Sequence, residues 1–256
     1  PAMALDGNGR LHVMIGAHHG PFLYRWSDDP EVEGSWSEPE PLGPLDTYPS
    51  MAVDREGTLH LAFRERGDRW QLGYRRKRSG QDWEEHRAMA TSPTPGYNHH
   101  MQSLTVGPSG TLHLVFQFHY AESGRAEDCL GRAAVHVQSD DGGDTWFNED
   151  LEVRDPITIE TMRPICHYPE GGDEPHGVRV GNHVVDADNH PWFFSSLPEK
   201  QGGVLWRRTA QGWDGIDMAG VFPGLNMEGG RSASLSRDSD GRIHLMVATN
   251  PHGDRV

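Results

Sequence analysis

Histidine is the side chain best suited to moving protons near neutral pH, and this chain of 256 residues carries 16 of them. Nine of them fall into two sets. His12, His60, His113 and His244 recur at one position of a repeated segment, which points to a role in the repeat itself. His18, His19, His99, His100 and His119 do not recur, and they stand in loops together with Tyr48, Tyr97 and Tyr120. Two imidazoles of this second set, His99 and His119, could serve as acid and base for one bound molecule. Tyr168 and Arg179 follow within and just after a long connection from Asn148 to Val178. Cys166-His167 with His176 or His183 offers nitrogen and sulfur ligands for a soft divalent ion, although the spacing fits no standard zinc pattern.

Something must carry these loops, and the repeat shows what. Leu5-Asp6-Gly7-Asn8-Gly9-Arg10-Leu11-His12 is echoed at Val53 to His60, Val106 to His113 and Arg237 to His244, with a weaker copy at Val185 to Trp192. Each reads as a strand, a tight polar turn with Gly or Asn where positive φ is needed, and a second alternating strand. The first four hairpins are followed by a third strand (Phe22 to Ser27, Gln71 to Lys77, Ala133 to Ser139, Val204 to Thr209). A fourth strand then opens at Trp36, Trp83, Trp146 or Trp213. Four strands in about 50 residues make a propeller blade, so the expected fold is all-β, a propeller of four-stranded antiparallel blades. The blades fall at about 1–45, 46–95, 96–153, 176–222 and, in part, 229–256, a single domain truncated at both ends.

Strand direction sorts the loops. Turns between first and second strands share one face with those between third and fourth strands, and the remaining connections share the other. The histidine loops, Thr47-Tyr48-Pro49 and Gly229-Gly230-Arg231 fall on that second face, where longer loops are expected to carry function. His99, His100, His119 and at least one of His18 and His19 are therefore expected in one cleft.

Composition sets the limits. A net charge of −15 disfavours nucleic acid and anionic membrane surfaces unless a local basic patch overrides the mean field. No apolar run approaches the roughly 18 residues needed to span a bilayer. Cys129 and Cys166 are too few for a disulfide framework.

The third turn of the third blade, Ser139-Asp140-Asp141-Gly142-Gly143-Asp144-Thr145-Trp146, matches the Asp box of sialidase-like propellers, a mark of architecture and not of catalysis. Together with Thr47-Tyr48-Pro49-Ser50, Asn98-His99-His100 and Pro156-Ile157-Thr158 it resembles the BNR-repeat family, which includes polysaccharide lyases acting on ulvan and related uronate polymers. The resemblance implies seven blades, of which about four and a half are here, an anionic polysaccharide or oligosaccharide as partner, and a secreted or periplasmic location. It implies His99, His119, Tyr168 and Arg179 as catalytic residues, and His18, His19, Tyr48, Arg64, His100, Tyr120 and Arg231 are the candidate substrate contacts beside them. A uronate C5 proton becomes acidic when arginine neutralises the carboxylate, and histidine or tyrosine can then remove it. No cofactor is named by the residues, a structural calcium or zinc ion being the candidate. A sialidase-type hydrolase, with an arginine triad that Arg64, Arg179 and Arg231 could supply, and a non-catalytic carbohydrate-binding propeller remain alternatives.

Overall fold

The computed structural model describes residues 1–16, 20–28, 35–168, 177–197, 200–223 and 233–247, with 200–202 by backbone alone. The first blade contains β1 (Ala2–Leu5), β2 (Leu11–Gly16), β3 (Gly20–Trp26) and the outer half of β4 (Glu40–Val53). A bulge between Thr47 and Ser50 bends β4, so that its first half pairs with β3 and its second half with β5 (Leu59–Glu65). One strand thus closes the first blade and opens the second, which continues through β6 (Gln71–Lys77) and β7 (Arg87–Ala90). The third blade is β8 (Gln102–Val106), β9 (Leu112–Tyr120), β10 (Leu130–Ser139) and β11 (Phe147–Asn148). The short β12 (Leu151–Glu152) pairs with β11, and β13 (Cys166–His167) with β10. The fourth blade is β14 (Arg179–Val185), β15 (Pro191–Leu197), β16 (Lys200–Thr209) and β17 (Gly212–Asp217). A four-residue helix, α1 (Met218–Val221), leads to the hairpin of β18 (Ala233–Arg237) and β19 (Ile243–Val247). The antiparallel four-stranded blades make this a β-propeller fold, and β1, β4, β8, β14 and β18 pack in succession as the inner strands.

The tryptophans expected to open fourth strands differ in one respect. Trp213 lies inside β17 and Trp146 directly precedes β11, whereas Trp36 and Trp83 make single bridges to Ser27 and Lys77 ahead of β4 and β7.

The recurring histidines hold the repeat together. Cross-strand registers coincide from blade to blade: Ala4 faces His12, Ala52 faces His60, Thr105 faces His113 and Ser236 faces His244. His60 Nε2 meets the turn Asp54 at 3.0 Å while Nδ1 meets the Tyr74 hydroxyl at 2.7 Å. His12 repeats this with Asp6 and Tyr24, and His244 keeps the bond to Asp238. In the fourth blade Trp192 stands in the histidine position and donates Nε1–H to Asp186 at 2.9 Å. The third blade has Gly107 in place of the aspartate and His136 in place of the tyrosine, and His113 bonds His136 at 3.1 Å.

The Asp box is equally structural. Asp141 accepts from the Thr145 backbone N–H at 2.8 Å, Trp146 donates to the Gly143 carbonyl at 3.2 Å, and Arg76 of the neighbouring blade donates to the Gly142 carbonyl at 2.6 Å. Trp146 is fully buried against Tyr74 of that blade. Every residue of β9 is buried because both its faces meet neighbours. Leu112, Leu114, Phe116, Phe118 and Tyr120 enter one cluster, while Val115 on the opposite face enters the next. Each such apolar side chain contributes about 1.5–3 kcal/mol on burial.

Candidate functional site

Beyond the inner end of β8, residues 98–101 run alongside the end of β9: Asn98 bridges Tyr120, His99 N–H donates to the His119 carbonyl at 2.8 Å, and Gln117 N–H donates to Met101. His99 and His119 are therefore cross-strand neighbours, and such pairs project side chains to one face. Their ring centroids lie 5.7 Å apart. The Tyr48 ring lies 4.7 Å from His99 on its other side.

Next to Tyr48 is Arg64, fully buried. Its Nε donates to Thr47 Oγ1 at 2.8 Å and its Nη1 to the Tyr97 hydroxyl at 3.0 Å and the Asn98 carbonyl at 3.4 Å. The guanidinium carbon sits 4.6 Å from the Tyr48 ring centroid, 4.4 Å from Trp70 and 5.2 Å from Tyr97. Tyr48 and Trp70 have φ of 55° and 44°, the left-handed region that bulky side chains rarely adopt.

The strand that carries Arg179 is placed by glycines. Gly131 of β10 pairs with His119 and, on its other side, forms a parallel bridge with Gly177. A Cβ on Gly131 would stand 1.9 Å from the Val178 carbonyl, so only glycine lets the strand carrying Arg179 cross here. Arg179 is nearly buried, its backbone N–H donates to Ser196 Oγ at 3.0 Å, and its charge acts on Cys129. Burial pushes that thiol up, and Cys129 Sγ donates to the Tyr97 carbonyl at 3.6 Å. Tyr168 follows β13, and its backbone N–H donates to the Arg132 carbonyl, one residue from Gly131. Its ring is buried with Val115, Val178 and Val180, on the face of β9 that carries His119.

Two expected contacts stand differently. His100 is completely buried against Phe116 and Phe118 with Nδ1 on the Gln117 carbonyl at 3.2 Å, and burial lowers it to about 4, so it supports the segment as a neutral ring. Tyr120 follows His119 on a strand whose side chains alternate, and it lies in the core cluster on the other face. His18, His19, Arg231 and His176 lie outside the described residues. The missed residues are Trp70, Tyr97 as an arginine partner, and Asn98. A lone tryptophan in Gly67-Asp68-Arg69-Trp70, out of step with the fourth-strand tryptophans, was the available signal for the first.

Among the described residues, Cys166, His167 and His183 do not form a ligand set. Successive strand residues point to opposite faces, so Cys166 is buried and His167 exposed. Burial also pushes the Cys166 thiol up to about 12, away from the thiolate a metal needs. Buried His183 lies instead beside His113 and His136. Among the described residues one group has ligand atoms within 4.8 Å of one another, Asp186, Asp188 and His190 in the first turn of the fourth blade. Asp186 Oδ1 there accepts the backbone N–H groups of Asp188 and His190, which is the ordinary work of a turn aspartate. No described helix is long and apolar enough to cross a membrane.

Comparison with known proteins bears on the fold. The sequence profile described as BNR repeat-containing family member matches residues 1–219. No curated protein matches the chain. Among solved structures, an ulvan lyase with -[GlcA(1-4)Rha3S]- bound is similar with a TM-score of 0.64 at 15% identity, over 83% of this chain and 56% of that one. The α-L-arabinofuranosidase of Fusarium graminearum gives 0.55 at 13% identity, over 94% and 66%. A Hadza microbial sialidase gives 0.50 at 15% identity, over 84% and 45%. At such identities the likeness is one of fold, and the chain spans little more than half the length of the ulvan lyase.

Proposed function

The chain belongs to the BNR repeat-containing family, and from that premise we propose that it acts as a carbohydrate-active propeller enzyme, a lyase that cleaves uronate-containing polysaccharide by β-elimination. The observation that carries this reading is the His99–His119 pair, two buried imidazoles 5.7 Å apart beside Tyr48; Tyr168 and Arg179 are proposed as its partners. Two imidazoles at that separation can both touch one sugar unit.

In the proposed reaction Arg179 neutralises the uronate carboxylate, which acidifies the proton on C5. His99, His119 or Tyr168 takes that proton, the C–H electron pair forms the C4–C5 double bond, and the C4–O bond breaks. A second of these groups gives a proton to the departing oxygen. No water is consumed. The groups proposed for the site are imidazole, phenol and guanidinium, which suit elimination, whereas most glycoside hydrolases use a pair of carboxylates. Secretion is the location such a substrate implies. The test is a panel of uronate polysaccharides, read by ultraviolet absorbance of the conjugated double bond and, in parallel, by reducing ends. Both should rise together, whereas reducing ends without absorbance would mean hydrolysis.

A further inference from the structure

We infer that Arg64 is the anchor of a second anion-binding subsite, covered by Tyr48, which takes a carboxylate or sulfate oxyanion on the sugar unit next to the one held between His99 and His119. A guanidinium taken out of water ordinarily has a carboxylate beside it, because neutral acceptors return only part of the lost hydration. The sequence has 38 acidic residues, yet among the described residues Arg64 bonds only neutral oxygens of Thr47, Tyr97 and Asn98. Its Nη2 is buried with no hydrogen-bond partner. Three aromatic rings stack around the charge, which compensates a cation in part and leaves the in-plane N–H groups of Nη2 available. In-plane N–H groups are what a carboxylate or sulfate engages.

Of the three rings Tyr48 is the exposed one, while Trp70 and Tyr97 are half-buried. Tyr48 is 36% exposed while Arg64 beneath it is fully buried. It holds φ of 55° at a bulge, a conformation that stores strain and is released when the residue moves. The same ring covers His99, so one movement uncovers both the imidazole and the guanidinium. Arg66 and Arg69 are exposed beside Asp68 on the loop between β5 and β6 that carries Trp70, so a polyanion reaching the site meets two guanidinium groups there.

The saccharide part of this inference rests on the proposed lyase reading, and the anion site itself does not. Sodium sulfate titrated at constant ionic strength into wild type, Arg64→Gln and Tyr48→Gly, with binding read by calorimetry, tests the site. Arg64→Gln should weaken sulfate binding about tenfold, and Tyr48→Gly should tighten it several-fold by removing the cover. A folded Arg64→Gln protein with wild-type sulfate affinity overturns the inference. Should that variant not fold, an unchanged affinity in Tyr48→Gly overturns it. A uronate oligosaccharide in sulfated, desulfated and carboxyl-reduced forms identifies the oxyanion by which treatment abolishes the Arg64-dependent part of the affinity, and no effect of either treatment removes the saccharide assignment. Arg64-dependent sulfate binding without cleavage of any uronate polymer leaves the anion site standing and the lyase reading fallen. Cleavage with Arg64-independent sulfate binding does the reverse.

Discussion

His99 and His119 meet because the chain before β8 continues the pairing of β9, and that proximity gives the sharpest expectation at the scale of single residues. Replacing either by Ala should lower the rate of elimination by about 10²–10⁴ while the fold persists. Initial rates alongside circular dichroism check this, and wild-type rates in both variants would remove the pair from the mechanism. Other imidazoles make stability depend on pH. Burial lowers His100 and His113 to about 4 and His183 to about 3, and holds His136 well below 6.5. The unfolded chain takes up these protons below about 6.5 and the folded chain only near or below about 4, so their contribution is complete above 6.5 and is lost as pH falls through that window. Asp46, raised to about 7 by burial, works in the opposite direction, losing stability as pH rises from about 4 to 7. Four imidazoles outweigh one carboxyl, and the urea midpoint should be lower at pH 5 than at pH 7. An equal or higher midpoint at pH 5 would contradict this. Loop position singled out His99, His119 and Tyr48 from the sequence, whereas Arg64, inside β5, entered there only as a member of a possible arginine triad. The parity that turns Tyr120 into the core, and the burial of His100, depend on cross-strand register and could not be read there.

Among the elements, the crossing of Gly131 and Gly177 links the third blade to the fourth and sets where β14 starts. Gly131→Ala should destabilise by more than about 1 kcal/mol, since its Cβ would stand 1.9 Å from a backbone oxygen, and should lower activity by displacing Arg179. Gly7→Ala is the control, with nothing within 4 Å of the added carbon, and should stay within about 0.5 kcal/mol of wild type. Chemical unfolding compares the two, and equal midpoints would mean that the crossing does not constrain the fold. The blades were legible because each hairpin repeats its own chemistry: Gly9, Gly57, Gly110 and Gly241 all have positive φ at the same turn position, and Asn189, the residue most tolerant of that region after glycine, takes it in the weak copy. What the repeat could not reveal is the dual use of β4 or the route of residues 148–168, because both depend on contacts between blades.

For the molecule as a whole, the outward face of the first blade is unlike an ordinary protein surface. Met3, Leu5, Ile15 and Leu23 are exposed there by 42–66%, and Met246 of the last hairpin by 72%. Exposed apolar faces of this kind associate. The 256-residue chain should sediment with concentration-dependent mass, and Leu5→Lys with Ile15→Lys should reduce that dependence; a monomer at all concentrations would show that this face is not adhesive. The central claim, that a rim of histidine, tyrosine and arginine eliminates rather than hydrolyses, is decided by the product. A uronate polysaccharide treated with the protein should gain ultraviolet absorbance in step with new chain ends, and the gain should vanish with His119→Ala. New reducing ends with no ultraviolet change would contradict the account.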